Sequence, residues 1–208
     1  MSGLLHAIVF KHLGHNVSVL ERSSRDSLQS QAVGLNAGPE VRRMIDSYIK
    51  LDKRYARASN LVEVINIEGK IINSFPSDDT LYLTTWRVLY DIFKSHFLEA
   101  PEGAKGPLAT YQTNKLVRSV QHEGEKVVVA YGDTLTGVSS VLHADLVIAA
   151  DGAHSLVRKT VLPTVHPKYA GYITWRGAVP ECSLSENSRK MLKDRNIFFK
   201  TGQGYILS

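Results

Sequence analysis

At 208 residues the chain is one large domain or two small ones, and its 43% hydrophobic and 22% charged content, with 15 Gly and 7 Pro, excludes a disordered, collagen-like or coiled-coil protein. Lys and Arg number 25 against 20 Asp and Glu, and the resulting net charge of +5 is not gathered in one run, which argues against a dedicated nucleic-acid binder. A single cysteine, Cys182, excludes an internal disulfide and a multi-thiolate metal site, while no apolar stretch reaches the roughly 18–20 residues of a membrane span and no signal-peptide layout opens the chain, so a reducing, cytoplasmic setting is expected.

Leu4 to Leu13 reads as a helix, because Leu4, Leu5, Ile8, Val9 and Leu13 recur at three-to-four spacing and Gly14 ends the run. A turn at Gly14-His15-Asn16 leads into Val17–Leu20, an apolar, β-branched strand closed by Glu21-Arg22 and a Ser-rich loop. Helix, turn, strand and terminal acid make the second half of a βαβ unit. Gly3 stands where the third glycine of G-x-G-x-x-G would stand, with Glu21 downstream near the roughly 20-residue spacing that brings an acid to a ribose hydroxyl. The bland alternative is a glycine that merely opens a helix. The first two glycines of that motif are not in the chain, and neither is the strand before them.

Gln31 to Gly38 is a Gly-punctuated loop, followed by helical spacing over Pro39–Tyr48 through Val41, Met44 and Ile45. Leu61–Ile67 and Lys70–Phe75 alternate and meet at Glu68-Gly69, a hairpin signal. Thr84 or Thr85 can cap a helix with Trp86, Leu89, Tyr90, Phe93 and Phe97 on one face. A Pro/Gly loop spans 101–107, and Lys115–Gln121 with Lys126–Tyr131 forms a second hairpin around Glu123-Gly124. His143 to Ala150 is largely apolar, as in a parallel strand buried on both faces. His12 and His15 lack companion ligands and read as surface residues.

That run ends in Asp151-Gly152-Ala153-His154-Ser155, with Arg158 one turn further on. A Ser-His-Asp hydrolase is set aside, since adjacent triad members rarely converge and no G-x-S-x-G elbow exists. Two readings stay open. One is a strand-ending Asp-Gly turn with a helix capped by Ser155. The other places Asp151 and Gly152 at the ligand-binding C-terminal end of a parallel strand, with Arg158 able to reach a phosphate or ribose neighbour.

The segments LLHAIVFKHLGHNVSVLERS, QAVGLNAGPEV, AADGAHSLVRK and YAGYITWRGAVPE occur in the order found in the single-component FAD-dependent aromatic hydroxylases. The chain resembles that family along nearly its whole length, in particular the 2,6-dihydroxypyridine-hydroxylase-like branch. The resemblance implies an α/β fold with a glutathione-reductase-type, Rossmann-like FAD-binding domain interrupted by β-rich substrate-domain segments. Residues 1–60 and 81–165 would form the FAD-binding domain, and 61–80 with 166–208 a partial substrate domain.

It also implies site residues. Gly3 and Leu4 would lie near the FAD pyrophosphate, Glu21 at the adenosine ribose with Arg22 beside it, and Gln31 in the loop approaching the flavin. Trp86 stands where many relatives carry a cofactor-touching arginine, which makes the adjacent Arg87 the candidate contact. Asp151 belongs to the family's Asp-Gly motif, linked to FAD and NADPH, with Arg158 following. Tyr172, Trp175 and Arg176 would lie on a substrate-domain strand, as substrate contacts or as packing residues. The implied cofactor is FAD with NADPH or NADH as reductant, and the implied reaction is O2-dependent hydroxylation of an aromatic or heteroaromatic small molecule. No residue is assigned as a catalytic acid or base, and no metal is expected. The length is about half of what the resembled architecture uses, so a partial chain with poor FAD affinity and little turnover is expected. A non-catalytic remnant held by a binding partner and an NAD-dependent dehydrogenase are the competing readings.

Overall fold

The computed structural model describes residues 1–29, 31, 33–99, 106–173, 177, 179–193, 196–200 and 205–207. The chain forms two units, Met1–Gln31 with Tyr90–Thr174 and Ala32–Leu89 with Trp175–Ser208. The divisions between these units fall after residues 31, 89 and 174.

In the first unit, α1 (Ser2–His12) buries Leu4, Ala7 and Ile8. Leu13 lies past its end and is exposed, so the apolar stripe stops one turn earlier than its spacing suggests. Gly14 makes the turn at φ +90°, a region an L side chain rarely enters. β1 (Val17–Leu20) then pairs in parallel with β5 (Ala109–Gln112), Val17 opposite Ala109. The Ser-rich stretch contains a short helix, α2 (Arg25–Gln29), whose entry is held by a hydrogen bond from the Ser27 amide to Ser24 Oγ at 3.1 Å. Helix α4 (Trp86–Leu98) crosses the division between the units. Its Thr85 cap accepts from the Val88 amide at 3.2 Å, and Leu89, Tyr90, Phe93 and Phe97 are buried. The Nζ of Lys11 on α1 donates to the carbonyls of Phe97 at 2.7 Å and Glu99 at 2.6 Å. A cation at a helix C-terminus satisfies carbonyls that the helix leaves unpaired.

A second sheet in this unit has the order β6 (Lys115–Glu123), β7 (Lys126–Asp133), β8 (Ser139–Ala144), all antiparallel. The expected β6–β7 hairpin turns at Gly124, φ +61°, and β7 alternates with Val127 and Val129 inward. The expected buried parallel strand over His143–Ala150 is not formed. Its first residues finish β8, antiparallel to β7, and residues 145–150 pair with no strand among those described. Leu146 is 61% and Ile148 39% exposed. A parallel strand is buried by neighbours on its edges and helices on its faces, and this run has no described neighbour on either edge.

The Nζ of Lys115 meets Asp133 Oδ2 at 2.6 Å, and Asp133 Oδ1 accepts from the amides of Leu135 and Thr136. The Lys115 bond, then these amides, hold the Asp133 carboxyl far below the usual range. A lowered folded value means stability that is complete above the unfolded value and lost as pH falls through the folded one. The stability difference between the unaltered chain and Asp133→Ala is therefore expected to be full at neutral pH, to shrink below about pH 4 and to vanish in strong acid. Urea unfolding across that range measures it, and a pH-independent difference would refute it.

The second unit holds one mixed sheet, ordered β10 (Tyr205–Leu207), β9 (Ile197–Lys200), β3 (Arg57–Ile65), β4 (Ile71–Thr85), β2 (Gly34–Asn36). The expected hairpin is β3–β4, turning at Gly69 with φ +77°. The loop expected over Gln31–Gly38 contains β2, antiparallel to the end of β4 with Leu35 opposite Thr84. Three residues carry no alternation to read, so only the partner strand reveals it. The expected helix from Pro39 runs as α3 (Pro39–Met44) and widens into a π turn over Ile45–Ile49. A short helix, α6 (Glu186–Leu192), precedes β9, which runs parallel to β3 and antiparallel to β10. Ile65 and Ile197 are fully buried.

Candidate functional site

The site lies in the first unit, at the N-terminus of α1. The Leu5 amide is the first to bond within the helix, to Met1 O at 3.2 Å, so the amides of Ser2, Gly3 and Leu4 carry no helical bond, the arrangement that binds anions. Gly3 is where the chain crowds: a Cβ there would sit 3.3 Å from Ala150 Cβ. The absence of a side chain lets α1 press against the 149–151 segment, the packing role of a third glycine in a dinucleotide motif. The Leu4 side chain is buried in the core, so only its backbone can serve a ligand.

Asp151 and Gly152 form the facing corner. Gly152 turns at φ +80°, and Asp151 Oδ2 accepts from the Leu156 amide at 2.8 Å. Ser155, only 5% exposed, caps α5 (Leu156–Val161) by accepting from the Arg158 amide at 2.9 Å. Burial works to raise the Asp151 carboxyl, but hydrogen bonds from Ser155 and the Leu156 and Val157 amides outweigh it and hold it below the ordinary value. The carboxylate therefore stays charged while locking the corner. The Arg158 guanidinium donates to Ala153 O, which lays it back over the same turn. The expected Asp-Gly turn with a Ser155-capped helix is thus the local structure.

Ser2, Ala149, Ala150, Asp151, Gly152, Ser155 and Arg158 line one open cleft of about 530 Å³, with Val157, Val161 and Leu162 as its apolar side. Glu21 follows β1 directly. Its Oε1 accepts from the Ser23 amide at 2.7 Å, its amide donates to Gln112 O and its carbonyl accepts from the Lys115 amide. The Met1 amine is lowered by burial and raised in part by Glu21, which puts the acid within electrostatic reach of the start of α1.

Sequence reasoning missed Tyr111. Its hydroxyl lies 3.3 Å from that of Tyr90, and Lys94 Nζ sits 4.7 Å from its ring centroid. Burial, the Tyr90 bond and Glu21 all push its phenol well above the usual range, so a neutral aromatic flanks the acid. These partners are far apart in sequence, and no local signal marks them. Ser2 and the apolar wall of α5 were also unmarked.

The remaining candidates scatter. Arg22 is exposed beside Glu21, and Gln31 is exposed at the end of the unit's first segment. Arg87 lies in the second unit's share of α4, half-buried and already engaged. Tyr172 is 69% exposed and outside any strand, against the strand expected for it. The chain there has no described ladder to sit in. Trp175 and Arg176 lie outside the described residues. No cluster of three metal-ligating side chains exists among the described residues, and none of their helices is long and apolar enough to cross a membrane.

Residues 80–184, half of the chain, match the family model described as "FAD binding domain". The chain belongs to this FAD-binding family. Residues 169–208 match a second model, "FAD binding domain-like". The FAD-binding chain is 28% identical to 2,6-dihydroxypyridine 3-monooxygenase of Paenarthrobacter nicotinovorans, an alignment covering all of this chain and 48% of that protein. It is 36% identical to 6-hydroxynicotinate 3-monooxygenase of Pseudomonas fluorescens over 86% of this chain and 46% of that one. The structure of 2,6-dihydroxypyridine-3-hydroxylase from Arthrobacter nicotinovorans superposes with TM-score 0.74 at 26% identity, over 99% of this chain and 48% of its own. The fold is also that of the flavin-dependent monooxygenase PieE, solved with FAD and substrate (TM-score 0.63, 16% identity, 77% of this chain and 30% of that one). The chain spans about half the length of the relatives it matches. The resemblance to FAD-dependent aromatic hydroxylases and the α/β, Rossmann-like FAD-binding fold are thereby established.

Proposed function

We propose that this chain is the FAD-holding part of a monooxygenase that hydroxylates an aromatic or heteroaromatic small molecule, with NAD(P)H as reductant and O2 as co-substrate. One observation carries the reading: Ser2 at the open N-terminus of α1, beside the glycine that presses on Ala150, and the locked Asp151–Arg158 corner line one cleft. The donor set suits the cofactor's diphosphate, because backbone amides at a helix N-terminus and a nearby guanidinium are what an anion of that shape needs.

In this reading residues 1–60 and 81–165 belong to the FAD-binding domain and 61–80 with 166–208 to the substrate domain. Gly3 and Leu4 offer backbone amides to the diphosphate, and Glu21 accepts from the ribose with Arg22 at its side. Arg158 supplies positive charge at the cleft. Asp151 holds that corner in shape through its bonds to Ser155 and Leu156. Gln31 and Arg87 are the candidates for the flavin side, and Tyr172, Trp175 and Arg176 for the substrate side. When bound, the flavin supplies the redox chemistry that links the nicotinamide to O2. The protein's part is to position cofactor and ring and to exclude water.

Titration with FAD, followed by quenching of flavin fluorescence, is expected to saturate at micromolar or higher concentration, and an Arg158→Ala variant to bind about tenfold more weakly. Saturable NADH binding with no response to FAD would instead support a dehydrogenase and overturn the proposal.

A further inference from the structure

The second unit carries a cation that forms no ion pair among the described residues and leaves one N–H unsatisfied. Arg42, on the last turn of α3, stacks its guanidinium 4.1 Å from the centre of the Tyr82 ring. Its Nε is shielded from solvent and has no hydrogen-bond partner, and the side chain enters no ion pair among the described residues. The acid nearest in sequence, Glu40, is engaged by Arg43. Stacking on a tyrosine orients a guanidinium without satisfying its N–H groups. A half-buried cation in that state gains more from an arriving anion than a fully hydrated one does.

Both partners are held in place. The Tyr82 amide donates to Asn36 Oδ1 at 2.9 Å and its carbonyl accepts from the Ala37 amide at 2.8 Å, which ties β4 to the residues that open α3. Tyr55 lies beside them, its carbonyl accepting from Thr84 Oγ1 at 2.6 Å. Its phenol is held above the ordinary value by burial first and then by Asp46, with Arg42 opposing. Tyr55 therefore remains a neutral hydroxyl able to donate. Asp46 is the acid whose charge reaches Tyr55, and it competes with any incoming anion.

We propose that Arg42, seated on Tyr82 with Tyr55 alongside, is a binding subsite for a carboxylate-bearing small molecule. The guanidinium presents a planar pair of donors matched to a carboxylate. The subsite is independent of flavin and needs no residue of the first unit.

The test is calorimetric titration of the full chain, without FAD, using benzoate and its neutral counterpart benzamide. Benzoate is expected to bind at least about tenfold more tightly than benzamide, the discrimination a charge-assisted pair supplies. Arg42→Gln should abolish that preference. Arg42→Lys, which keeps the charge but not the fork, should lose most of it while leaving the packing volume nearly unchanged, and Asp46→Asn should tighten benzoate. Equal affinity for the two probes on the unaltered chain, no saturable benzoate binding, or unchanged benzoate affinity in a folded Arg42→Lys or Arg42→Gln chain would overturn the proposal. Failure of FAD binding in the first unit would leave these outcomes unaffected.

Discussion

Replacing Phe93 with alanine is expected to destabilise the first unit by about 3–5 kcal/mol, the range for deleting a fully buried phenylalanine. Phe93 and Phe97 have no exposed surface at all, and Tyr90 on the same helix is 3% exposed. Lys11 ties the end of that helix to α1, so a shift of α4 is felt at the helix whose N-terminus opens the cleft. The loss is large against the roughly 5–15 kcal/mol that holds a domain together. Urea unfolding followed by circular dichroism reads it as a lower midpoint. FAD affinity should fall with it, because the amides of Ser2, Gly3 and Leu4 move with α1. A variant that unfolds at the unaltered midpoint would show that α4 does not carry this core.

Changing Asp151 to alanine should lower FAD affinity about tenfold or more while leaving most of the fold in place. Asp151 closes the corner around Gly152 by accepting from the Leu156 amide and from Ser155. Its loss frees both groups, one of them on a side chain only 5% exposed. The conservative Asp151→Asn variant separates geometry from charge, since an amide oxygen can still accept from Leu156. If the corner's shape is what matters, Asn retains most of the affinity and Ala does not. If the charge itself matters, the two variants are equally weak. Affinity unchanged in both would remove Asp151 from the site. Flavin fluorescence titration of the three chains distinguishes these results, with circular dichroism to confirm that each is folded.

The local grammar of the chain is legible in its residues. The spacing from Leu4 to Ile8 and the glycine at 14 announce α1 and its turn, and Val17–Leu20 is β1 residue for residue. Glu68-Gly69 and Glu123-Gly124 mark both hairpins, whose glycines have positive φ. Ser155 and Thr85 are the caps their positions suggest. Such signals are short-range: a cap, a tight turn or an apolar stripe depends on residues within one or two turns of each other. Gly3 is legible for a subtler reason. Its place relative to Glu21 implies close packing at the start of α1, and Ala150 is the neighbour that packs there.

What escapes the sequence is what depends on distant partners. β2 exists because β4 lies alongside it. Tyr111 flanks Glu21 because β5 pairs with β1 and α4 brings Tyr90 and Lys94 across it. Arg42 is oriented by a ring that comes from a strand 40 residues on, Tyr82, and not by a nearby acid. The apolar run to Ala150 makes the same point in reverse. Its composition suits a buried strand, yet its side chains stand exposed because no described strand pairs with it. The sequence by itself determined the local elements, the Asp-Gly corner and the family. The tertiary structure decided which of those elements share a cleft and which apolar run is left uncovered, because burial and strand pairing are set by neighbours that the chain brings together only on folding.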